Sequence, residues 1–149
     1  MRLERFQLHH IKEIELRDNE KAGLASLPNF LDICRAYEMA GNAWTLFSPE
    51  GIVCIAGVFP TWPGVGTAWS FTSELVKKYP LSYFKATKKM MEAIADDMGL
   101  HRIQTVTRAE DETASRWACH LGFELEGTMK RYSPDGKDCL MFARVINHG

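Results

Sequence analysis

The sequence predicts a mixed α/β (α+β) fold, a seven-stranded sheet with helices on both faces in the order β-α-α-β-β-β-α-β-α-β-β. Three observations predict it. Three strand-like runs, "AWTLF", "IVCIAGVF" and "TAWSFTS", follow one another with turn residues between them and read as a meander. Helical and strand patterns then alternate, and a helix between consecutive strands makes those strands parallel neighbours. Finally, two strand-like runs flank an "SPDG" turn and close the chain as a hairpin.

The elements follow in order. "RLERFQL" alternates imperfectly and reads as a short first strand. From about Ile11 to Tyr37 the pattern is helical in two pieces, the second starting at Leu27-Pro28 with Phe30, Leu31, Cys34 and Tyr37 as its apolar stripe. "SPEG" joins the second strand to "IVCIAGVF", whose run of apolar residues on both faces suits a central position in the sheet. "PTWPGVG" reads as a longer hairpin loop. A helix over "SYFKATKKMMEAIADDMG" stops at Gly99, with Phe84, Met91, Ile94 and Met98 on its buried face. "HRIQTVT" is the fifth strand, "DETASRWACHL" a helix and "FELEGTMKRY" the sixth strand, and "DCLMFARV" ends the sheet.

No repeat, low-complexity tract or linker interrupts residues 1–149, which are read as one domain. Hydrophobic residues at 46% and charged residues at 25% match an ordinary globular protein. A formal charge of −1 argues against a phosphate-backbone binder, so no nucleic-acid partner is expected. No apolar run approaches the roughly 18 residues of a membrane helix. The first ten residues lack the apolar centre of a signal peptide, which places the protein in the cytoplasm, or in a virion if it is phage-encoded. Cys34, Cys54, Cys119 and Cys139 stand singly among apolar neighbours and read as buried, reduced thiols. His9-His10 reads as a surface pair, without the spacing of a metal site.

One junction is specific. In "HRIQTVTRAEDETASRWACHLGFELEG", Gly122 ends a helix at no steric cost and Phe123 turns inward under the sheet. With its Asp111, Ala114 and Gly122-Phe123, that run resembles the GCN5-related N-acetyltransferases, the GNAT superfamily. The element order and the closing "GTMKRYSPDGKDCLMFAR" are similar too. "GVFPTWPGVGTAWSFTSE" also resembles divergent GNAT-like proteins encoded by tailed phages.

The resemblance implies acetyl-CoA as co-substrate, bound where the fourth and fifth strands part, with an amine as acceptor. It implies that Phe71, Thr72 and Ser73 line the pantetheine arm, and that Asp111 belongs to the same cofactor site. Tyr79, Ser82, Tyr83 and Phe84 would face the pyrophosphate at a helix N-terminus capped by Ser82, with Lys77, Lys78 and Lys85 nearby. Two features depart from the family pattern. No glycine lies between Gly66 and Gly99, where the family has its phosphate loop, and Ala118 stands where many members have a tyrosine acid. Cys119, Tyr132 and Tyr83 are the substitutes for that acid, and Glu74 is the best-placed base, ahead of Glu124. Two functions stay open: an acyl-CoA-dependent N-acyltransferase, or a GNAT-fold binding module that has lost transfer and serves in phage assembly or binds a host protein. A homodimer stays open as well.

Overall fold

A computed structural model describes residues 1–147. Seven strands form one sheet in the order β1-β2-β3-β4-β5-β7-β6. They are β1 (Arg2–Arg5), β2 (Ala43–Ser48), β3 (Gly51–Trp62), β4 (Val65–Thr72), β5 (Arg102–Arg108), β6 (Glu124–Met129) and β7 (Cys139–Val145). The helices are α1 (His10–Glu13), α2 (Asp18–Ala25), α3 (Phe30–Ala40), α4 (Leu75–Lys78), α5 (Pro80–Met98) and α6 (Glu112–His120). The mixed seven-stranded sheet predicted above is therefore present. Among the described residues, no helix is long and apolar enough to cross a membrane.

The meander β2-β3-β4 is antiparallel, and β3 is the buried central strand its composition called for. Its apolar residues divide between the two faces. Trp44, Ala56 and Val58 pack with Met91 and Ile94 of α5, while Ile55 and Phe71 pack with Phe6 and Cys34 on the opposite side.

Several boundaries differ from the sequence expectation. The helical stretch after β1 comes in three pieces rather than two. Between α1 and α2 the chain extends, and Leu16 forms an antiparallel bridge with Ser73. The expected long loop at "PTWPGVG" is a tight turn, because both strands continue to Trp62 and from Val65. Pro63 and Gly64 occupy its two central positions, and Gly64 has φ +85°, the combination of a type II turn. Helix α5 begins at Pro80, so Ser82 is not its cap; Tyr79 holds that position without a side-chain hydrogen bond. His10 is buried at 1% exposure and bonds Thr45, so it is not a surface residue. Cys119 is exposed, unlike the other three free cysteines.

The Gly122-Phe123 junction is as expected. Gly122 has φ +91°, its N–H reaches the Cys119 carbonyl at 3.1 Å, and the Phe123 N–H reaches the Ala118 carbonyl at 3.0 Å. This doubly bonded helix stop drops Phe123 into the core at 4% exposure.

Candidate functional site

Strands β4 and β5 are the sheet's one parallel pair, and they pair over only four residues, from Val65↔Arg102 to Ala68↔Thr105. Beyond Ala68, β4 runs on to Thr72 and β5 to Arg108 without pairing to each other, so the sheet opens. Alternation along β4 decides which groups face the opening. The Ser73 N–H bonds Val53 of β3 at 3.0 Å, so the N–H and C=O of Thr72 point the other way, into the gap.

Both Thr72 groups are taken by the segment that enters α2. The Thr72 carbonyl accepts the Arg17 N–H at 3.1 Å. The Thr72 N–H donates to the Glu20 carboxylate at 2.9 and 3.0 Å, and its hydroxyl donates to Glu20 Oε2 at 2.7 Å. Arg17 is buried: its Nε donates to Thr72 Oγ1 at 2.7 Å, and its Nη2 pairs with Asp111 at 2.9 Å. Asp111 also caps α6 by accepting the Ala114 N–H at 3.1 Å. The Arg17 guanidinium lies 5.0 Å over the Trp117 ring, whose centroid is 5.2 Å from that of Tyr83. Burial pushes the Glu20 carboxyl up to about 7, against the pull of Thr72 and Arg17. The Tyr83 phenol is pushed up by burial as well.

A cavity of about 380 Å³ follows the gap. Its walls come from both faces of the sheet, with Leu24, Tyr37, Trp69 and Phe71 on one side and Tyr83, Thr87, Met91 and Phe123 on the other. Two buried polar atoms on this wall, Trp44 Nε1 and Thr87 Oγ1, have no hydrogen-bond partner among the described residues. A second cavity of about 370 Å³ lies at the start of α5 against α6, between Pro80, Leu81, Phe84, Arg116 and His120. Tyr83, Trp117 and Leu121 wall both cavities and separate them.

The residues singled out in the sequence fall into three groups. Phe71, Thr72, Tyr83, Asp111 and Tyr132 line the first cavity, with Tyr132 61% exposed. Phe84 joins Tyr83 on the second. The other candidate catalytic and cofactor residues lie outside both. Ser73 turns toward β3, its hydroxyl bonding the Ile52 carbonyl at 2.7 Å. Tyr79 donates to Glu50 at 2.6 Å, and Ser82 and Cys119 line neither cavity. Glu74 is exposed and pairs with Lys77 at 2.9 Å. Lys78 pairs with Glu50 at 2.6 Å.

Arg17, Glu20 and Trp117 are the residues that sequence reasoning missed. Arg17 and Glu20 stand in a polar stretch, "LRDNEK", where charges at helical spacing look like a solvated face. Nothing local in that stretch announces that it crosses the sheet's opening.

Solved structures match this arrangement over nearly the whole chain. The ribosomal L7/L12 alpha-N-protein acetyltransferase RimL, in complex with coenzyme A, is 17% identical; the match covers 99% of this chain and 94% of that one, with a TM-score of 0.73. Ard1 from Thermoplasma volcanium is 13% identical over 99% of this chain and 98% of that one, with a TM-score of 0.71. A GNAT-family acetyltransferase from Bacillus anthracis is 16% identical over 97% and 95%, with a TM-score of 0.70. The fold is that of the GNAT acetyltransferases. No protein-family model matches the sequence, and no curated protein matches it. The GNAT likeness is thus carried by three-dimensional arrangement at low identity.

Proposed function

We propose that the protein is an acyl-CoA-dependent N-acyltransferase whose reaction takes place in the gap between β4 and β5. The observation that carries this reading is the Thr72 N–H, which faces the gap at the wall of a cavity open to both faces of the sheet. A main-chain donor fixed in a strand suits a thioester oxygen that gains negative charge during acyl transfer. The phosphate end of CoA would lie against the second cavity, where Arg116 and His120 line the start of α5.

The chemistry assigns roles to this chain's groups. The thioester carbonyl takes the Thr72 N–H once Glu20 moves off it, which leaves the Glu20 carboxylate beside the reacting carbon. Glu20 then accepts a proton from the amine, the amine nitrogen bonds the carbonyl carbon, and the C–S bond breaks. Tyr132, which lines the cavity and is exposed, would return a proton to the thiolate. Glu74 and Cys119 would need to move to reach the gap. The acceptor is an amine. Among the neighbours, the RimL structure is named for a protein amino group and the Vibrio cholerae SpeG structure for spermidine.

A second reading, a binding module without transfer, is favoured by the residues that fill the CoA route. Tyr83 and Trp117 stand between the two cavities, and the α5 start carries Pro80 and Leu81 instead of glycines. Such a module would serve in a phage particle or on a host protein. Titration with acetyl-CoA separates the two. Transferase function predicts heat of binding, a raised Tm, and thiol release when amines are supplied. The transferase reading fails if millimolar acetyl-CoA gives neither heat nor stabilisation.

A further inference from the structure

The acetyl-transfer reading leaves one part of the first cavity without a use. Under the sheet, on the α5 side, the cavity is walled by Trp44 of β2, Ala56 and Val58 of β3, and Thr87 and Met91 of α5. A cross-strand row explains its shape. Trp44 pairs with Ala56, and Ala56 pairs with Ser70 of β4, so the three residues share one face of the sheet. The small Ala56 lies between the large Trp44 and the edge of the gap, and both line the cavity. Two strand spacings put the Trp44 backbone roughly 10 Å from that of Ser70. An acetyl group held at Thr72 does not extend that far.

Two polar atoms belong to this branch, and both are buried without a partner. Trp44 is 2% exposed and Thr87 is 7% exposed, and Nε1 and Oγ1 make no hydrogen bond among the described residues. Leaving a buried donor unpaired is costly, so such atoms mark a place where something polar binds. The indole N–H only donates, and the threonine hydroxyl both donates and accepts, so the matching group is an oxygen. The five residues walling the branch include no cation. A carboxylate there would be buried without a counter-charge, which favours a neutral oxygen over an acid.

We propose that this branch is an acyl-chain pocket, and that the preferred acyl group is longer than acetyl and carries a neutral hydroxyl or keto oxygen received by Trp44 Nε1 and Thr87 Oγ1. The proposal rests on the acyltransferase reading above, since it assumes that a CoA thioester occupies the gap. Trp44 and Thr87 are then specificity-determining residues, remote from the bond that breaks.

The test compares CoA thioesters on the full chain by calorimetry: acetyl, hexanoyl, 3-hydroxyhexanoyl, 5-hydroxyhexanoyl and succinyl. Hexanoyl-CoA should bind more tightly than acetyl-CoA. One of the hydroxyhexanoyl thioesters should bind roughly tenfold more tightly than hexanoyl-CoA, and succinyl-CoA should gain nothing over acetyl-CoA. In Thr87→Val, which keeps the shape, and in Trp44→Phe, the hydroxyl advantage should vanish while hexanoyl-CoA still binds. Thermal unfolding of each variant confirms that it is folded, and Thr87→Val alone suffices if Trp44→Phe is not. If acetyl-CoA binds as tightly as the longer thioesters, or the hydroxyl adds nothing, the pocket proposal is overturned and acyl transfer stands. A buried water satisfying both atoms would give that result. If no thioester binds, both fall.

Discussion

Glu20 carries opposing demands at a single carboxyl group. Its oxygens take the N–H and hydroxyl of Thr72, which favours the charged form, yet burial outweighs this and pushes it up to about 7. The groups that face it are Arg17 from the segment before α2, Asp111 before α6, Tyr83 of α5 and Cys54 of β3. The sign follows from the direction of the shift. Below about 7 the buried carboxyl is protonated and stays in the gap. Above it the charged form gains by shifting off Thr72 toward water at the edge of the gap, which frees the Thr72 N–H and leaves a base beside it. Transfer should therefore rise with pH through about 7, and thiol release measured across that range would show the inflection. Glu20→Gln should lower kcat roughly 10²–10⁴-fold and remove the inflection. A Glu20→Gln protein that keeps the wild-type rate and pH profile would take Glu20 out of the mechanism, and Glu74 would return as the candidate base.

The meander β2-β3-β4 sets the geometry of the cavity wall, and at Gly57 its packing leaves no room for a side chain. A Cβ there would lie 2.7 Å from Trp69 Cζ2, 2.8 Å from the Ala43 Cβ and 2.8 Å from the Asn42 carbonyl oxygen. Two of these neighbours belong to β2 and the residue before it, so the strain cannot be relieved by one side chain swinging away. Gly57→Ala should cost about 1–3 kcal/mol in urea unfolding. It should also shift Trp69, which stacks on Tyr37 at 4.2 Å and lines the cavity. An unchanged midpoint would mean that the strands part more easily than their contacts suggest. Elements of this kind were the legible part of the sequence. The strand runs and the Gly99 and Gly122 stops depend on short-range patterns and appear in the structure, and the "SPDG" hairpin is there too, although β6 ends at Met129 rather than Tyr132 and the turn sits within a longer connection to β7. The misread elements were those set by distant partners. The chain between α1 and α2 extends because Leu16 pairs with Ser73, which lies in another part of the sequence. The site was legible in the same proportion. Phe71, Thr72, Tyr83 and Asp111, to which the family resemblance pointed, line the cavity, whereas Arg17 and Glu20 reach it by a crossing that no local pattern encodes.

At the scale of the molecule, the parallel pair is a seam between two antiparallel units. One is β1-β2-β3-β4 and the other is β5-β7-β6, each laddered internally. Four residue pairs join them, and past Ala68 the connection is made by side chains. Arg17, held to β4 through Thr72, reaches Asp111 beyond the end of β5, and α2 lays Gly23 against Arg108. A sheet joined this way opens most easily where the ladder stops, because fewer bonds are lost per residue freed. Alternating amides of β4 report on that opening directly. The Ser70 and Thr72 N–H groups face the gap, while the intervening Phe71 N–H faces β3. In native-state hydrogen exchange, Ser70 and Thr72 should exchange faster than Phe71 in the free protein. A CoA thioester that binds the gap should slow them selectively. At a ligand concentration about a hundred times Kd, binding stabilises the closed form by about 2.7 kcal/mol, or roughly 100-fold in protection. Protection spread evenly over the sheet would instead place the ligand away from the seam, even if it binds tightly. Alternation between neighbouring amides thus distinguishes a thioester in the gap from one held only at the start of α5.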